Sequence, residues 1–130
     1  MNTLTEKREV FEIERVSETI VVTPLEELGE LDSCPMEAGA KKILQLLEDP
    51  AVHNVVMDFH RIDYYGSSAL AFFIRLWKRV RDHKGRMALC ELSEHGREIL
   101  KTSKLDQFWP VYPSKEEAVL AVERWMPSCR

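Results

Sequence analysis

The chain has 130 residues, a formal net charge of −4, 45% hydrophobic residues and 31% charged residues. It is long enough to bury one sizeable core, and its composition is that of an ordinary globular domain rather than a disordered or fibrous chain. An acidic chain does not predict nucleic-acid binding, which requires a basic face. Three cysteines without a CxxC motif predict reduced thiols, and no apolar run is long enough to span a membrane, so we expect a cytoplasmic protein.

The first half of the chain predicts a hairpin followed by a helix. Residues 1–9 are polar and are expected to be flexible, so the domain is placed at 10–126. Alternating residues at 10–16 and an apolar run at 19–23, closed by Pro24, predict two adjacent strands. An amphipathic helix is then predicted between Ser33 and the Asp49–Pro50 pair.

The central stretch reads VVMDFHRIDYYGSSALAFFIRLWKRV, from Val55 to Val80. Its first residues form a short apolar, β-prone run typical of a strand covered on both faces. A turn follows, and Ser67 and Ser68 stand where the N-cap of a helix is expected. The helix is predicted to end near Gly85, a natural residue for the position after a helix C-cap.

This central helix has two neighbouring apolar stripes. One is formed by Leu70, Phe73, Ile74 and Trp77, and the other by Ala69, Phe72 and Leu76. One interpretation is a wide helix that faces the core with both stripes. The other is that Phe72 and Leu76 lie partly exposed beside the serines and form a docking surface.

The last third of the chain predicts further alternation of strand and helix. We expect a strand at 86–92, a helix capped by Ser93, a short edge strand at 107–112, and a final helix that starts at a Ser114–Glu117 capping box. The order β-β-α-β-α-β-α-β-α predicts an α/β fold: a mixed, mostly parallel sheet of about five strands flanked by four helices. In such sheets, sites lie in loops beyond the carboxyl ends of the strands, and the turn before Ser67 is one of these.

At this point the chain resembles the STAS domain, the fold of bacterial anti-sigma factor antagonists. The stretch VVMDFHRIDYYGSSALAFFIRLWKRVRDHKG is similar to the family pattern of apolar strand, Asp-Ser-Ser-Gly-Leu-Gly and apolar helix. The following RMALCELSEHGREILKTSKLDQFWPVYPSKEEAV is similar to the family's remaining strands and helices. The resemblance covers nearly the whole chain from Val10.

The resemblance implies partner switching with an anti-sigma factor that is also a serine kinase. The family's phosphorylated serine falls on Ser67, with Ser68 as the alternative. Gly66 replaces the family's Asp, and Ala69 and Ala71 replace its glycines. The missing carboxylate at Gly66 favours a second hypothesis, a phosphorylation-independent STAS interaction module such as a stress-complex subunit or a transporter accessory.

Partner contacts are expected around the predicted switch. These residues flank the serines, follow them on the helix, or lie in the loop that the family places near the switch: Tyr64, Tyr65, Gly66, Ser68, Ala69, Phe72, Leu76, Gly29, Glu30 and Asp32. One of the two tyrosines is expected to pack inward. Asp58, at the end of the strand, is expected to hold the turn by accepting hydrogen bonds from it. The sequence is also compatible with a homodimer.

An enzyme is the less favoured interpretation. A nucleophilic serine needs a base and a third orienting group, and the string Gly-Ser-Ser-Ala lacks the GxSxG elbow of hydrolases. Asp58 and His60, two residues apart on one strand end, are expected to be poorly placed for a relay. No Walker loop, GxGxxG motif or metal-ligand spacing is present, so no cofactor and no metal are predicted.

Overall fold

The computed structural model describes residues 11–25, 34–63 and 65–124. They form one five-stranded sheet, as the order of elements predicts. The strands are β1 (Phe11–Val16), β2 (Thr19–Pro24), β3 (Asn54–Asp58), β4 (Met87–Cys90) and β5 (Val111–Tyr112). They lie in the sheet in their order along the chain. The predicted hairpin is confirmed, since β1 and β2 pair antiparallel, and the other three pairings are parallel.

The helices described are α1 (Cys34–Leu46), α2 (Ser67–Asp82), α3 (Glu94–Thr102) and α4 (Lys115–Arg124). Two predicted caps are confirmed. The hydroxyl of Ser93 accepts a hydrogen bond from the Gly96 N–H at 3.0 Å, and that of Ser114 accepts one from the Glu117 N–H at 3.2 Å. Both caps satisfy N–H groups that have no partner inside their own helix.

The two faces of the sheet are covered unequally. Buried side chains of α1, α2 and α3 share one apolar cluster with the residues on one side of the strands. A smaller cluster on the other side contains Ala118 and Val122 of α4. In β3, Val55 and Met57 belong to the larger cluster and Val56 to the smaller one. This alternation is the side-chain period of a strand buried on both faces.

The predicted strand at 107–112 is only partly confirmed. Leu105–Gln107 form a 3₁₀ helix, and the strand is limited to Val111 and Tyr112. The N–H of Leu89 bonds the carbonyl of Pro110 at 2.9 Å. Proline has no N–H to give, which limits pairing at that residue and keeps this strand short and at the edge.

The end of α2 corrects the role predicted for Gly85. The residue with left-handed backbone geometry is Lys84, whose φ is 62°, and no described glycine has a positive φ. Gly85 is required for a different reason. A Cβ atom there would lie 1.6 Å from the carbonyl oxygen of His53, so only glycine fits. The N–H of Gly85 also bonds the carbonyl of Val80 at 2.9 Å, which closes the helix.

We predict that Gly85→Ala lowers the free energy of unfolding by about 3 kcal/mol or more, because the added methyl group meets backbone that cannot rotate away. Urea denaturation measures the loss. Gly39→Ala is the control, because its Cβ would meet only the ring of Phe11, at 2.7 Å, and alanine favours the helix. We expect a smaller loss there, about 1 kcal/mol. Equal losses in the two variants would contradict this explanation.

Candidate functional site

The turn between β3 and α2 lies at the carboxyl end of a central strand, where the fold predicts a site. The N–H of Phe59 extends the ladder by bonding the carbonyl of Cys90 at 3.1 Å. The N–H of Ile62 then bonds the carbonyl of Phe59 at 3.3 Å, which reverses the chain. Phe59 and Ile62 are both buried, so the turn is held by the core on its inner side.

Asp58 holds the start of this turn, as predicted. One carboxylate oxygen accepts a hydrogen bond from the N–H of His60 at 3.1 Å and lies 3.0 Å from the same residue's Nδ1. Asp58 and His60 therefore contact each other, and the expectation that they are poorly placed for a relay stays a prediction. Cys90 is the register partner of Asp58 on the neighbouring parallel strand. Burial, together with the charge of Asp58, raises the pKa of the Cys90 thiol and keeps it protonated.

Tyr65 anchors the end of the turn. Its side chain is 1% exposed, its ring lies 5.1 Å from that of Phe59 and 5.7 Å from that of Phe73, and its hydroxyl donates a 2.7 Å hydrogen bond to the carbonyl of Gly96 in α3. The prediction that one tyrosine packs inward is confirmed for Tyr65. Its burial removes it from the predicted partner contacts. Tyr64 lies outside the described residues.

The first residues of α2 differ from the prediction. The N-cap is Gly66, with φ −89° and ψ −174°, and Ser67 and Ser68 are the first two helical residues. The serines are therefore not N-caps. The chain adopts this register because Gly66 takes the extended geometry of a cap, and its carbonyl accepts the first helical bond, from the N–H of Leu70 at 3.0 Å. Gly66 itself is half-buried.

This helix start has an unusual electrostatic environment. Gly66 has no side chain to bond the first N–H groups, and the first turn of α2 contains no acidic residue. The N-terminus of a helix carries a partial positive charge and several N–H donors without helical partners. Two hydroxyl-bearing residues thus occupy a position suited to an anion, without a carboxylate of the same turn to oppose one.

The docking surface predicted on Phe72 and Leu76 is wrong. Both side chains are 0% exposed, and Ala69 is also buried. The Phe72 ring packs 5.9 Å from that of Phe11 and 6.1 Å from that of Phe73. The wide core-facing helix is the correct interpretation for this stripe. It is buried because α1 and the sheet both pack around it, with Ile43 of α1 and Leu47, just after α1, in the same cluster.

The partly exposed apolar residues of α2 belong to the other stripe, in which only Phe73 is buried. Leu70, Ile74 and Trp77 pack against the core from its edge and remain partly accessible. Leu70 also lines a groove of about 380 Å³ with residues of α3 and the turn after it: His95, Glu98, Ile99, Thr102 and Ser103. The sequence analysis missed this groove, because periodicity alone shows that two stripes exist without showing which one faces the sheet.

The remaining predicted contacts cannot be placed. Gly29, Glu30 and Asp32 lie outside the described residues. Within the part of the chain that the structure covers, no three His, Cys, Asp or Glu side chains are grouped so that they could hold a metal ion. The described helices include none with the length and apolar character needed to cross a bilayer.

Comparison with known proteins identifies the family. The model of the STAS domain matches residues 11–118. The chain belongs to the STAS domain family. It is 34% identical over 79 residues, 61% of its own length and 68% of the other chain, to BtrV of Bordetella bronchiseptica, whose name describes an anti-sigma factor antagonist.

Solved STAS structures have the same fold. An anti-sigma-factor antagonist domain protein from Planctomyces limnophilus superposes with a TM-score of 0.75 at 28% identity, covering 87% of this chain and 97% of that one. SpoIIAA, an anti-sigma factor antagonist, superposes in its unphosphorylated form with a TM-score of 0.74 at 24% identity, covering 89% and 98%. SpoIIAA of Bacillus in its phosphorylated form gives 0.68 at 24% identity, covering 86% and 98%. The predicted five-stranded mixed sheet with four helices is therefore confirmed as a STAS fold.

We predict that Tyr65→Phe lowers the free energy of unfolding by about 1 kcal/mol, the usual net contribution of one hydrogen bond. Burial raises the pKa of Tyr65, so the folded state retains a proton that the unfolded chain releases above about pH 10. The contribution of the protonated Tyr65 hydroxyl to the free energy of unfolding is therefore fully present below about pH 10. It declines as the pH rises above that value. The phenylalanine variant should lack this alkaline decline.

Urea denaturation at pH 7 and at several values above pH 10 tests both parts. Tyr112→Phe is the control, since Tyr112 is half-exposed and its hydroxyl has no hydrogen-bond partner in the described structure. That variant should keep nearly the wild-type stability at pH 7. A Tyr65→Phe protein as stable as wild type at pH 7 would show that the Gly96 bond does not hold the turn.

Proposed function

We propose that this STAS domain is an anti-sigma factor antagonist, a binding module rather than an enzyme, controlled by phosphorylation of Ser67, with Ser68 as the alternative acceptor. The unmodified chain binds an anti-sigma factor, which is also the serine kinase, and so releases a sigma factor. Phosphorylation breaks that complex. The observation that carries the proposal is the start of α2, where two serines follow an N-cap without a side chain. Sigma factors act in the cytoplasm, so the proposal requires a cytoplasmic chain.

The electrostatics of this position suit a switch. A phosphoserine carries about −1.5 to −2 charges at neutral pH and three acceptor oxygens. The partial positive charge and free N–H groups of a helix N-terminus stabilise that anion, so the domain remains folded. A partner packed over the same turn meets added bulk and must displace the water around a new charge. Binding thus changes without a change of fold.

The surface that we expect the anti-sigma factor to cover consists of partly exposed side chains next to this turn. Ser67 begins the helix that presents Leu70 and Ile74, and Leu70 opens on the groove shared with Ile99. An apolar side chain from the partner fits such a groove, and the neighbouring His95 and Glu98 provide polar contacts at its border. This surface replaces Phe72 and Leu76 as the expected apolar contact.

The relatives support the proposal in two ways. BtrV is named for the antagonism of an anti-sigma factor, and its matched region includes most of a chain of similar size. SpoIIAA shares the fold and has been solved both without and with phosphorylation, so a domain of this shape accommodates the modification.

A phosphorylation-independent module is the second candidate. Gly66 stands where the family pattern has a carboxylate, and that change alters the surface a kinase would recognise. In this case the same partner surface is used constitutively. The two candidates differ in whether a charge at Ser67 changes binding.

The test is a binding titration with the anti-sigma factor from the same genome, measured by calorimetry. We predict that Ser67→Asp weakens binding at least about tenfold, which corresponds to about 1.4 kcal/mol. Ser67→Ala should bind like wild type and should accept no phosphate at this site. The matched control is Ser114→Asp, which adds the same charge at the start of α4, on the opposite face of the sheet, where aspartate can still cap the helix. Binding that is equal in all these variants would leave only the phosphorylation-independent module.

A second titration tests the partner surface. We predict that Leu70→Ala weakens binding by about 1 kcal/mol or more, since it removes an apolar contact at the centre of the interface. Leu120→Ala, on the opposite face of the sheet, is the control and should have no effect; Leu120 is 56% exposed. Equal binding by both variants would place the partner elsewhere on the domain.

A further inference from the structure

A second feature lies at the other end of α2 and plays no part in the proposed switch. The ring of Trp77 lies 5.2 Å from that of Phe108, and Arg81 lies over the Trp77 ring at 4.7 Å from its centroid. Trp109, which is buried, supports Trp77 from below with an edge contact at 6.3 Å. A rigid aromatic pair with a stacked arginine is thereby held at the surface.

The charge around this pair is opposite to that of the whole chain. Residues 75–84 contain five basic residues and one acidic residue, and residues 101–108 contain two and one, whereas the chain has a net charge of −4. Apart from the stacking of Arg81, none of the basic side chains in these segments has an ion-pair partner within the described residues: Arg75, Lys78, Arg79, Arg81, Lys84, Lys101 and Lys104. The two acidic residues, Asp82 and Asp106, are exposed.

We use the name basic aromatic surface for the contacting residues Trp77, Phe108 and Arg81 together with the exposed lysines that lie near them in the sequence, Lys78 and Lys104. Phe108 is 51% exposed, which is unusual for a large apolar side chain that touches another aromatic ring. The other large apolar side chain with comparable exposure in the described structure, Leu120, lies on α4, whose first turn is acidic. Aromatic residues and arginine are the side chains most enriched at the centre of protein interfaces.

We propose that the basic aromatic surface binds an acidic segment of a partner protein, which places an apolar side chain against Phe108 and Trp77. Carboxylates of the segment would pair with Lys78, Arg81 and Lys104, which have no ion-pair partners among the described residues. Covering Trp77 also removes water from its contact with Arg81 and strengthens that interaction. Trp77 is ten residues along α2 from Ser67, roughly 15 Å at the rise of a helix, and the proposal assigns this segment to a contact separate from the partner at the switch.

Charge and size favour a protein segment over other anionic partners. An anionic bilayer would attract this surface but repel the rest of an acidic chain, and one exposed ring adds little apolar area to such binding. A nucleic acid would meet the same repulsion along its length. A short acidic segment needs to contact only the basic aromatic surface itself.

Photo-crosslinking in cells of the native host tests the proposal. A benzoyl derivative of phenylalanine is incorporated at position 108, or at position 120 as the control of matched exposure, and the crosslinked peptide is sequenced by mass spectrometry. We expect position 108 to capture one segment of one protein, rich in Asp and Glu around an apolar residue. Crosslinking should fall about tenfold in a Lys78→Glu, Arg81→Glu variant and stay unchanged in a Lys41→Glu, Lys42→Glu variant on α1.

Each other outcome would overturn the inference: no crosslink at position 108, the same product at position 120, or a crosslink to lipid, to a second copy of this chain or to a segment without acidic residues. Ser67→Asp separates the two proposals. The crosslink at position 108 should persist in that variant even where anti-sigma factor binding is lost. Loss of both would show that the basic aromatic surface is part of the switch interface rather than a second site.

Discussion

The hydrogen bond from the Tyr65 hydroxyl to the Gly96 carbonyl connects the turn before α2 to the first turn of α3. Around it, the ring of Tyr65 packs against Phe59 and Phe73, so the residue immediately before Gly66 is held by three elements at once. Gly66 is the N-cap of α2. Holding the residue before it in place therefore fixes where α2 starts and how its first N–H groups are directed. A functional helix terminus on a surface turn would otherwise vary in position, because loops are the most mobile part of a fold.

The helix that starts there connects the two proposed surfaces. Its inner stripe, with Phe72 and Leu76, is fully buried and gives α2 a fixed position on the sheet. Its outer stripe runs from Leu70 beside the switch to Trp77 at the basic end. One rigid helix therefore presents an anion-tolerant N-terminus and a cationic C-terminal half, two surfaces of different chemistry. In this arrangement, a charge added to the first turn can alter one partner's binding while the domain remains folded.

The sequence was sufficient to predict the fold, since strand and helix periods alternate and two Ser-based caps mark helix starts. It could not determine which stripe of α2 is inside, because both follow helical spacing and only the positions of α1 and the sheet decide between them. The N-cap was misassigned for a related reason. Serine is the commoner cap, but backbone geometry places the cap at Gly66. Similarly, Gly85 was recognised by its residue type, whereas the His53 carbonyl that excludes a side chain there is distant in sequence.

The central claim is that a serine at the start of α2 is modified in the living cell and that this modification controls the complex. Mass spectrometry of the intact protein and of its peptides, isolated from the native host in more than one growth state, tests it most directly. The account predicts a phosphate on Ser67, or on Ser68, whose occupancy varies with growth state, and an anti-sigma factor that co-purifies only with the unmodified form. A chain without phosphate in every state that still co-purifies with its partner would contradict the switch.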